Sequence, residues 1–258
     1  MLKATLDLSH VKRKVVSFVK NKVEASQTDG VVLGISGGID SAVTAYLCVE
    51  ALGSRRVMGF IMPDLRVTPE DDIRDARSVA SELCLETKEI DIARIHKAFV
   101  KGLESNRLAE GNLRARIRMS LLYYYANIAN RLVVGTGDRS ELLLGYFTKY
   151  GDGGVDLLPI ADLYKTEVRE LGEVLGINRR IIAKKSSPRL WAGQLAEAEI
   201  GLSYAVIDQF FTLMFDQGLD VKTAATKLKL NRTKVEGLLK RYEASTHKRE
   251  MPEICMLR

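Results

Sequence analysis

The sequence predicts an α/β fold: a Rossmann-like open parallel sheet flanked by helices, followed by a helical C-terminal part. Three observations carry this. Short apolar runs alternate with helical stretches through the first half of the chain. A glycine-rich turn joins the first apolar run to the helix after it. From residue 162 onward the apolar spacing is that of helices. Strand–helix alternation of this kind implies parallel βαβ units.

Residues 9–27 place apolar side chains at helical spacing and predict an amphipathic helix. Residues 31–35, VVLGI, form a short apolar run bounded by turn residues, as a buried strand does. Residues 41–52 read as a helix stopped by Gly53. Residues 56–62 give a second strand ended by Pro63, and 69–84 a helix with Pro69 in its first turn. Residues 86–91 suggest a third strand, 113–130 a long helix and 131–135 a fourth strand. The stretch from Gly135 to Pro159 is rich in glycine and charge and predicts a functional loop with a short helix. Residues 162–184 and 197–243 return to helix. Asp220–Tyr242 is compatible with a helix-turn-helix, but a plain helical pair is the commoner meaning of such a pattern.

With 258 residues the chain is long enough to bury a core without disulfides or structural metal. The whole of 1–258 is expected to act as one domain, since no repeat or flexible linker interrupts it. No apolar run is long enough to span a bilayer, and the charged N-terminus is unlike a signal peptide. The expectation is a cytoplasmic protein with no membrane partner. The three cysteines, Cys48, Cys84 and Cys255, are far apart and argue against a zinc or disulfide framework. The formal net charge is +6. This is compatible with a small polyanionic substrate or with nothing specific; because the basic residues are dispersed, nucleic acid is not the expected partner.

The strongest local signal is Gly34-Ile35-Ser36-Gly37-Gly38-Ile39-Asp40-Ser41, between a predicted strand and a predicted helix. That position gathers free backbone N–H groups and the positive end of a helix dipole, which together bind phosphate. Glycines permit close backbone approach, and Ser36 and Ser41 add hydroxyls. The loop lacks the Gly-Lys-Ser/Thr ending of a Walker P-loop and the G-x-G-x-x-G of a dinucleotide fingerprint. Its aspartate beside a phosphate cradle suits a Mg²⁺ ion bridging carboxylate and phosphate oxygens.

The string S-G-G-x-D-S resembles the pyrophosphate loop of the N-type ATP pyrophosphatases, which split ATP into AMP and pyrophosphate. Within that superfamily, Gly135-Thr136-Gly137-Asp138-Arg139-Ser140-Glu141 and the string from Gly145-Tyr146-Phe147-Thr148-Lys149-Tyr150-Gly151-Asp152-Gly153-Gly154 to Pro159 resemble the NAD synthetases, and more specifically the ammonia-dependent ones. Gly111–Met119, Leu163-Tyr164-Lys165 and Thr246-His247-Lys248-Arg249 are similar to further segments of that family. The likeness runs from about residue 30 to 252.

The resemblance implies ATP-dependent adenylation of the nicotinate carboxylate of deamido-NAD, then amidation by ammonia, giving NAD, AMP and pyrophosphate. It implies ATP contacts from residues 34–41, Thr136, Lys165 and Ser187. It implies Mg²⁺ ligation by Asp40 and Glu141, with Asp40 and Lys165 as the catalytic pair. It implies deamido-NAD contacts from Arg116, Lys149, Asp156, His247 and Lys248, and a homodimer in which the 113–130 helix is a candidate contact surface. Taken singly, these residues have plainer readings. Lys165 alone would be a surface lysine, Glu141 a first-turn carboxylate stabilised by the helix dipole, Arg116 a helix-face charge and His247 a solvent-facing terminal residue.

Three expectations follow from local departures and spacing. Ala196 stands where relatives commonly carry aspartate, so any role of that carboxylate falls to another group. Pro188-Arg189 replaces the small residues usual there, so the segment around 184–200, expected to close over the site, differs in detail. The pyrophosphate loop begins near residue 34, leaving no room upstream for a glutaminase domain, so ammonia is the expected nitrogen donor. Two rivals are a tRNA-modifying pyrophosphatase and a nucleotide sensor with a helix-turn-helix tail. The T-K-Y-G-D-G-G string argues against the first and the full set of candidate site residues against the second.

Overall fold

In a computed structural model, residues 6–257 are described. All four predicted strands form, in one parallel sheet of order β3-β2-β1-β4: β1 Gly30–Gly34, β2 Val57–Ile61, β3 Glu86–Glu89 and β4 Arg131–Val134. Register is set by Val31 opposite Val57 on one side of β1 and Val31 opposite Leu132 on the other. β1 and β2 are almost wholly buried, as expected of apolar strands covered on both faces, whereas the edge strand β3 is exposed and polar.

Helices α1 (Leu8–Ala25), α2 (Ile39–Leu52) and α7 (Lys165–Val174) pack with β1 in a core that includes Val19, Leu33, Leu47 and Leu171. α5 (Arg107–Ile128) covers another face, where Phe60, Ile92, Ile117 and Val133 meet. A further cluster of Tyr204, Phe210, Phe211 and Leu238 holds the C-terminal helices together.

The predicted elements hold with local revisions. α3 spans Glu70–Glu82, and Pro69 is its N-cap rather than its first helical residue. A helix not predicted, α4 (Ala93–Val100), buries His96. α5 starts at Arg107, six residues earlier than the apolar pattern suggests, because Asn106 caps it by accepting from Ala109 N. α6 is the short helix Arg139–Leu144. The long helical stretches are broken at glycines and caps. Gly176, at φ 75°, separates α7 from α8 (Arg179–Ile182). Gly201, at φ 79°, separates α9 (Ala196–Ile200) from α10 (Tyr204–Phe211). Asp220 and Asn231 cap α11 (Val221–Lys227) and α12 (Arg232–Ala244), and a last turn, α13, covers Thr246–Arg249. The α11–α12 pair contributes Ala224, Val235 and Leu238 to the C-terminal cluster, so these helices pack as part of the core.

β1 lies between β2 and β4, so the chain order reverses beside it. Open parallel sheets bind ligands in the crevice outside the carboxyl ends of their strands at such a point. Here Gly34–Ser36 leaves β1 and Gly135-Thr136 leaves β4 on the wall of one cavity of about 890 Å³.

Candidate active site

The loop between β1 and α2 is shaped by close packing. Gly37 has φ 77°, and a Cβ there would lie 2.1 Å from the carbonyl oxygen of Asp72, so only glycine lets the loop sit on α3. The two serines organise the turn from within. Ser36 and Ser41 hydroxyls are 2.9 Å apart, Ser36 N donates to Ser41 Oγ at 3.1 Å, and Gly38 N donates to Ser36 Oγ at 3.2 Å. No side chain caps the N-terminus of α2. Gly34, Ile35, Ser36, Gly38, Ile39 and Asp40 line the cavity, whereas Ser41 is buried beneath them.

Beside the loop, three carboxylates converge on one ammonium. Lys165 Nζ lies 2.7 Å from Asp40 Oδ2, 2.8 Å from Asp138 Oδ2 and 2.9 Å from Glu141 Oε1. Lys165 and Asp138 are fully buried. Three elements bring the group together: α2 supplies Asp40, α6 and its N-cap supply Glu141 and Asp138, and α7 begins at Lys165. α6 and α7 are locked by Asp208, which accepts from Ser140 Oγ at 2.6 Å and Thr166 N at 2.8 Å.

Burial disfavours every charge here, and the partners decide the outcome. Lys165 is held well above the ordinary lysine value: burial alone would lower it, but Asp138, Asp40 and Glu141 together outweigh that. Glu141 and Asp138 are both raised, first by burial and then by carboxylate repulsion, with Lys165 only partly offsetting this. One lysine therefore does not balance three carboxylates. Ligand oxygens of Asp40, Asp138 and Glu141 all lie within 4.8 Å of one another, and Asp40 Oδ1 is buried without a hydrogen-bond partner. An all-oxygen donor set with excess negative charge suits a hard divalent cation such as Mg²⁺.

The structure sorts the sequence-predicted residues into two groups. Residues 34–36 and 38–40, Thr136, Glu141, Ser187 and Lys248 line the cavity, with Gly37, Ser41 and Lys165 immediately behind it. Lys248 Nζ donates to the carbonyls of Gly145 and Phe147, both at 2.8 Å. Its helix is seated by Gly145, at φ 61°, where a Cβ would fall 2.1 Å from Ser245 Cβ. Arg116, Lys149 and His247 lie outside the cavity wall but are linked: Arg116 Nε donates to Lys149 O at 3.3 Å and Lys149 Nζ to His247 O at 2.6 Å. Asp156 is committed elsewhere, accepting from Tyr123 Oη at 2.9 Å and Val133 N at 2.7 Å at the end of β4.

Several cavity residues escaped the sequence reading. Asp138 stands inside a quoted motif without a role of its own there; it is also the N-cap of α6, accepting from Glu141 N at 2.8 Å. Tyr146 and Phe147, equally good as core residues by sequence, line the wall. Arg118 lines it too, its Nε donating to Met62 O at 2.9 Å, and burial lowers its guanidinium to about 10. Glu199 faces the cavity, held by the Tyr146 hydroxyl and by Gln194 Nε2 at 3.1 Å. Ala196 is buried, and its N–H donates to Ser186 O at 3.0 Å.

The 184–200 segment is tied to the loop by Lys184 Nζ, which donates to Gly37 O at 2.9 Å, and is braced from within. Ser187 Oγ donates to Gln194 O at 2.6 Å and Leu190 N to Gln194 Oε1 at 2.9 Å. Arg114 NH1 reaches Leu190 O at 3.2 Å from α5. Arg189 takes φ 51°, an unfavourable conformation for a side chain with a Cβ.

The chain is similar to known proteins over nearly its whole length. A family model described as NAD synthase matches residues 11–252. An NH(3)-dependent NAD(+) synthetase of Hyperthermus butylicus is 51% identical over 249 residues, 96% of this chain and 90% of the relative. An NH3-dependent NAD synthetase of Campylobacter jejuni, solved with a nitrate ion, superposes with TM-score 0.83 at 35% identity, over 98% of this chain and 100% of that one. An NMN synthetase of Francisella tularensis superposes with TM-score 0.85 at 32% identity, over 97% and 99%.

Proposed function

This chain belongs to the NAD synthase family, and on that premise we propose how its cavity makes NAD from deamido-NAD, ATP and ammonia. It is a carbon–nitrogen ligase: the nicotinate carboxylate attacks the α-phosphorus of ATP, pyrophosphate leaves, and ammonia then displaces AMP from the acyl adenylate. The observation that carries this reading is the meeting of the Gly34–Ser41 loop with the Asp40–Asp138–Glu141–Lys165 cluster at the end of β1.

The loop amides and the uncapped N-terminus of α2 receive phosphate oxygens. Asp40, Glu141 and Asp138 are the residues that would hold Mg²⁺, which supplies charge neutralisation on the leaving pyrophosphate. Lys165 adds a fixed positive charge beside them. Thr136 and Ser187 line the ATP end of the cavity, and Lys248 serves the deamido-NAD end. The Arg116–Lys149–His247 patch lies on the surface and serves the same substrate where it extends from the cavity.

The second step needs neutral ammonia, and a carboxylate near the anhydride assists its deprotonation. With alanine at 196, Glu199, within the covering segment, is a carboxylate on the cavity wall that forms no salt bridge with a lysine or arginine among the described residues, and it is proposed for this role. Closure of residues 184–200 keeps water from the adenylate.

A homodimer is supported by Leu108, Tyr124 and Ile128, large apolar residues exposed on α5. Among the described residues no helix is long and apolar enough to cross a membrane, and the cytoplasm is the proposed location.

The test is a pyrophosphate-release assay with deamido-NAD, a deamido mononucleotide, bulk tRNA or no acceptor, each with ammonium or glutamine. The mononucleotide is included because one structural neighbour is an NMN synthetase. Deamido-NAD with ammonium is expected to give AMP and pyrophosphate at the highest rate. ADP and phosphate as products, or efficient use of glutamine, would overturn the reading.

A further inference from the structure

ATP brings about four negative charges to a loop that holds no cation: residues 34–41 contain neither lysine nor arginine. Lys165 does not make up the difference, because three carboxylates already surround its ammonium. Beyond the Mg²⁺ that those carboxylates would hold, side-chain positive charge for the pyrophosphate is found on another wall.

α8 and the covering segment supply it, held against two carboxylates of α3. Lys184 Nζ donates to Gly37 O, in the middle of the loop, at 2.9 Å. It also pairs with Asp72 at 2.8 Å and with Asp75 at 2.5 Å. Arg189 Nε pairs with Asp72 Oδ2 at 2.7 Å, and Arg180 pairs with Asp75. Asp72 and Asp75 are buried, so their charges are fixed in place. Arg180, Lys184 and Arg189 face two carboxylates, which leaves one positive charge in excess. Lys184, Arg189 and Asp72 all line the cavity. Arg118 also lines it, but Lys184 is the cavity cation whose ammonium bonds the loop backbone itself.

We propose that Lys184 is a catalytic residue that binds the pyrophosphate end of ATP, exchanging Asp72 and Asp75 for the β- and γ-phosphoryl oxygens when the nucleotide enters, while Arg189 and Arg180 stay with the two carboxylates. This rests on the pyrophosphatase reading of the loop. As the carboxylate oxygen bonds to the α-phosphorus, the bond from that phosphorus to the bridging oxygen breaks, and its electron pair stays on pyrophosphate. Negative charge grows there, and an ammonium donating to those oxygens binds the transition state more tightly than the ground state. Asp72 holds the ammonium against the loop between turnovers, so little side-chain ordering is left for substrate binding. Arg189 accepts a strained backbone and shares Asp72, which weakens the hold of Asp72 on Lys184.

The experiment titrates inorganic pyrophosphate with magnesium into the full chain by calorimetry, with thermal melts to confirm folding. Failure of the unaltered protein to bind pyrophosphate would sink the reading of the loop itself. If it binds, Lys184→Met is expected to weaken pyrophosphate at least about tenfold, the scale of a charge-assisted hydrogen bond. Lys184→Arg should recover most of that loss. Asp72→Asn should bind pyrophosphate as tightly as the parent or tighter, because it removes one of the two carboxylates that hold the ammonium. Parallel weakening in Asp72→Asn and Lys184→Met would mean that the pair only braces the loop, and would overturn the proposal. So would an unchanged affinity in Lys184→Met. Should Asp72→Asn not fold, the Lys184→Met and Lys184→Arg pair decides by the same measure.

Discussion

Lys165 Nζ and Asp138 Oδ2 lie 2.8 Å apart, both side chains wholly removed from solvent. A pair this deep is held only because each compensates the other, and a buried charge left without its partner is costly. Asp40 and Glu141 extend the pair into a four-residue cluster with one cation and three anions.

Replacing Lys165 is expected to damage turnover and shift the pH dependence of stability. Lys165→Met should lower turnover at least about tenfold, since a placed charge at a transition state is worth a few kcal/mol. The carboxyls of Asp138 and Glu141 are already raised in the folded protein and rise further without the lysine. A carboxyl whose folded value is raised favours folding while protonated and loses that contribution as pH increases. The variant should therefore lose stability between pH 5 and 8 relative to the parent. Denaturant melts at both ends of that range check this, and unchanged turnover would remove Lys165 from the chemistry.

Magnesium binding should expel protons. Asp138 and Glu141 hold their protons more tightly than ordinary carboxyls, and a divalent cation needs them ionised. Calorimetry of Mg²⁺ binding in buffers of different ionisation enthalpy should show net proton release near pH 6. Glu141→Gln should reduce that release and weaken the ion. A buffer-independent enthalpy would show that the cluster is already ionised.

Glu199 should matter for ammonia and not for adenylation. Glu199→Gln is expected to retain ATP–pyrophosphate exchange with deamido-NAD while amidation by ammonium falls about 10²-fold, as for loss of a general base. Hydroxylamine is largely neutral at pH 7, so it should be used by the variant and the parent at similar rates. Equal loss with both nucleophiles would leave Glu199 a merely structural role through Tyr146 and Gln194.

Acid should weaken the fold in two stages through the cluster that supports α5. His96 is lowered below 6.5 by burial, then by Arg114 and Arg66. The unfolded chain protonates first, so stability falls as pH drops past about 6.5. For Asp64, burial pushes the carboxyl up, but hydrogen bonds from Arg66 and Arg114 win and hold it well below 3.8. Its contribution is present above that value and disappears as pH falls below it. His96→Gln should flatten the pH 7 to 5 slope of urea-unfolding free energy, and an unchanged slope would exclude His96 as its source.

Sequence alone determined the strands, because buried parallel strands need apolar runs and VVLGI and RLVVG are such runs. It also marked the Gly34–Ser41 turn, where a glycine is needed at Gly37 because a Cβ would meet the carbonyl oxygen of Asp72. It located Asp40, Glu141 and Lys165 because they sit inside contiguous motifs. It separated the helical pair of 220–242 but ran the helices before it together, since apolar periodicity continues across Gly176 and Gly201 while the backbone turns there into the left-handed region.

What only the tertiary structure decided is which charges meet. Lys165 follows Asp40 by 125 residues and Lys184 follows Asp72 by 112, and no local pattern encodes either pair. Read singly, a lysine at a helix start is a solvated surface residue; folding buries this one among three carboxylates from two other helices. Chain spacing dictates which residues share a helix face or a strand. The excess negative charge of one wall and the excess positive charge of the other are sums over distant segments, and they exist only once the sheet has brought those segments to the end of β1.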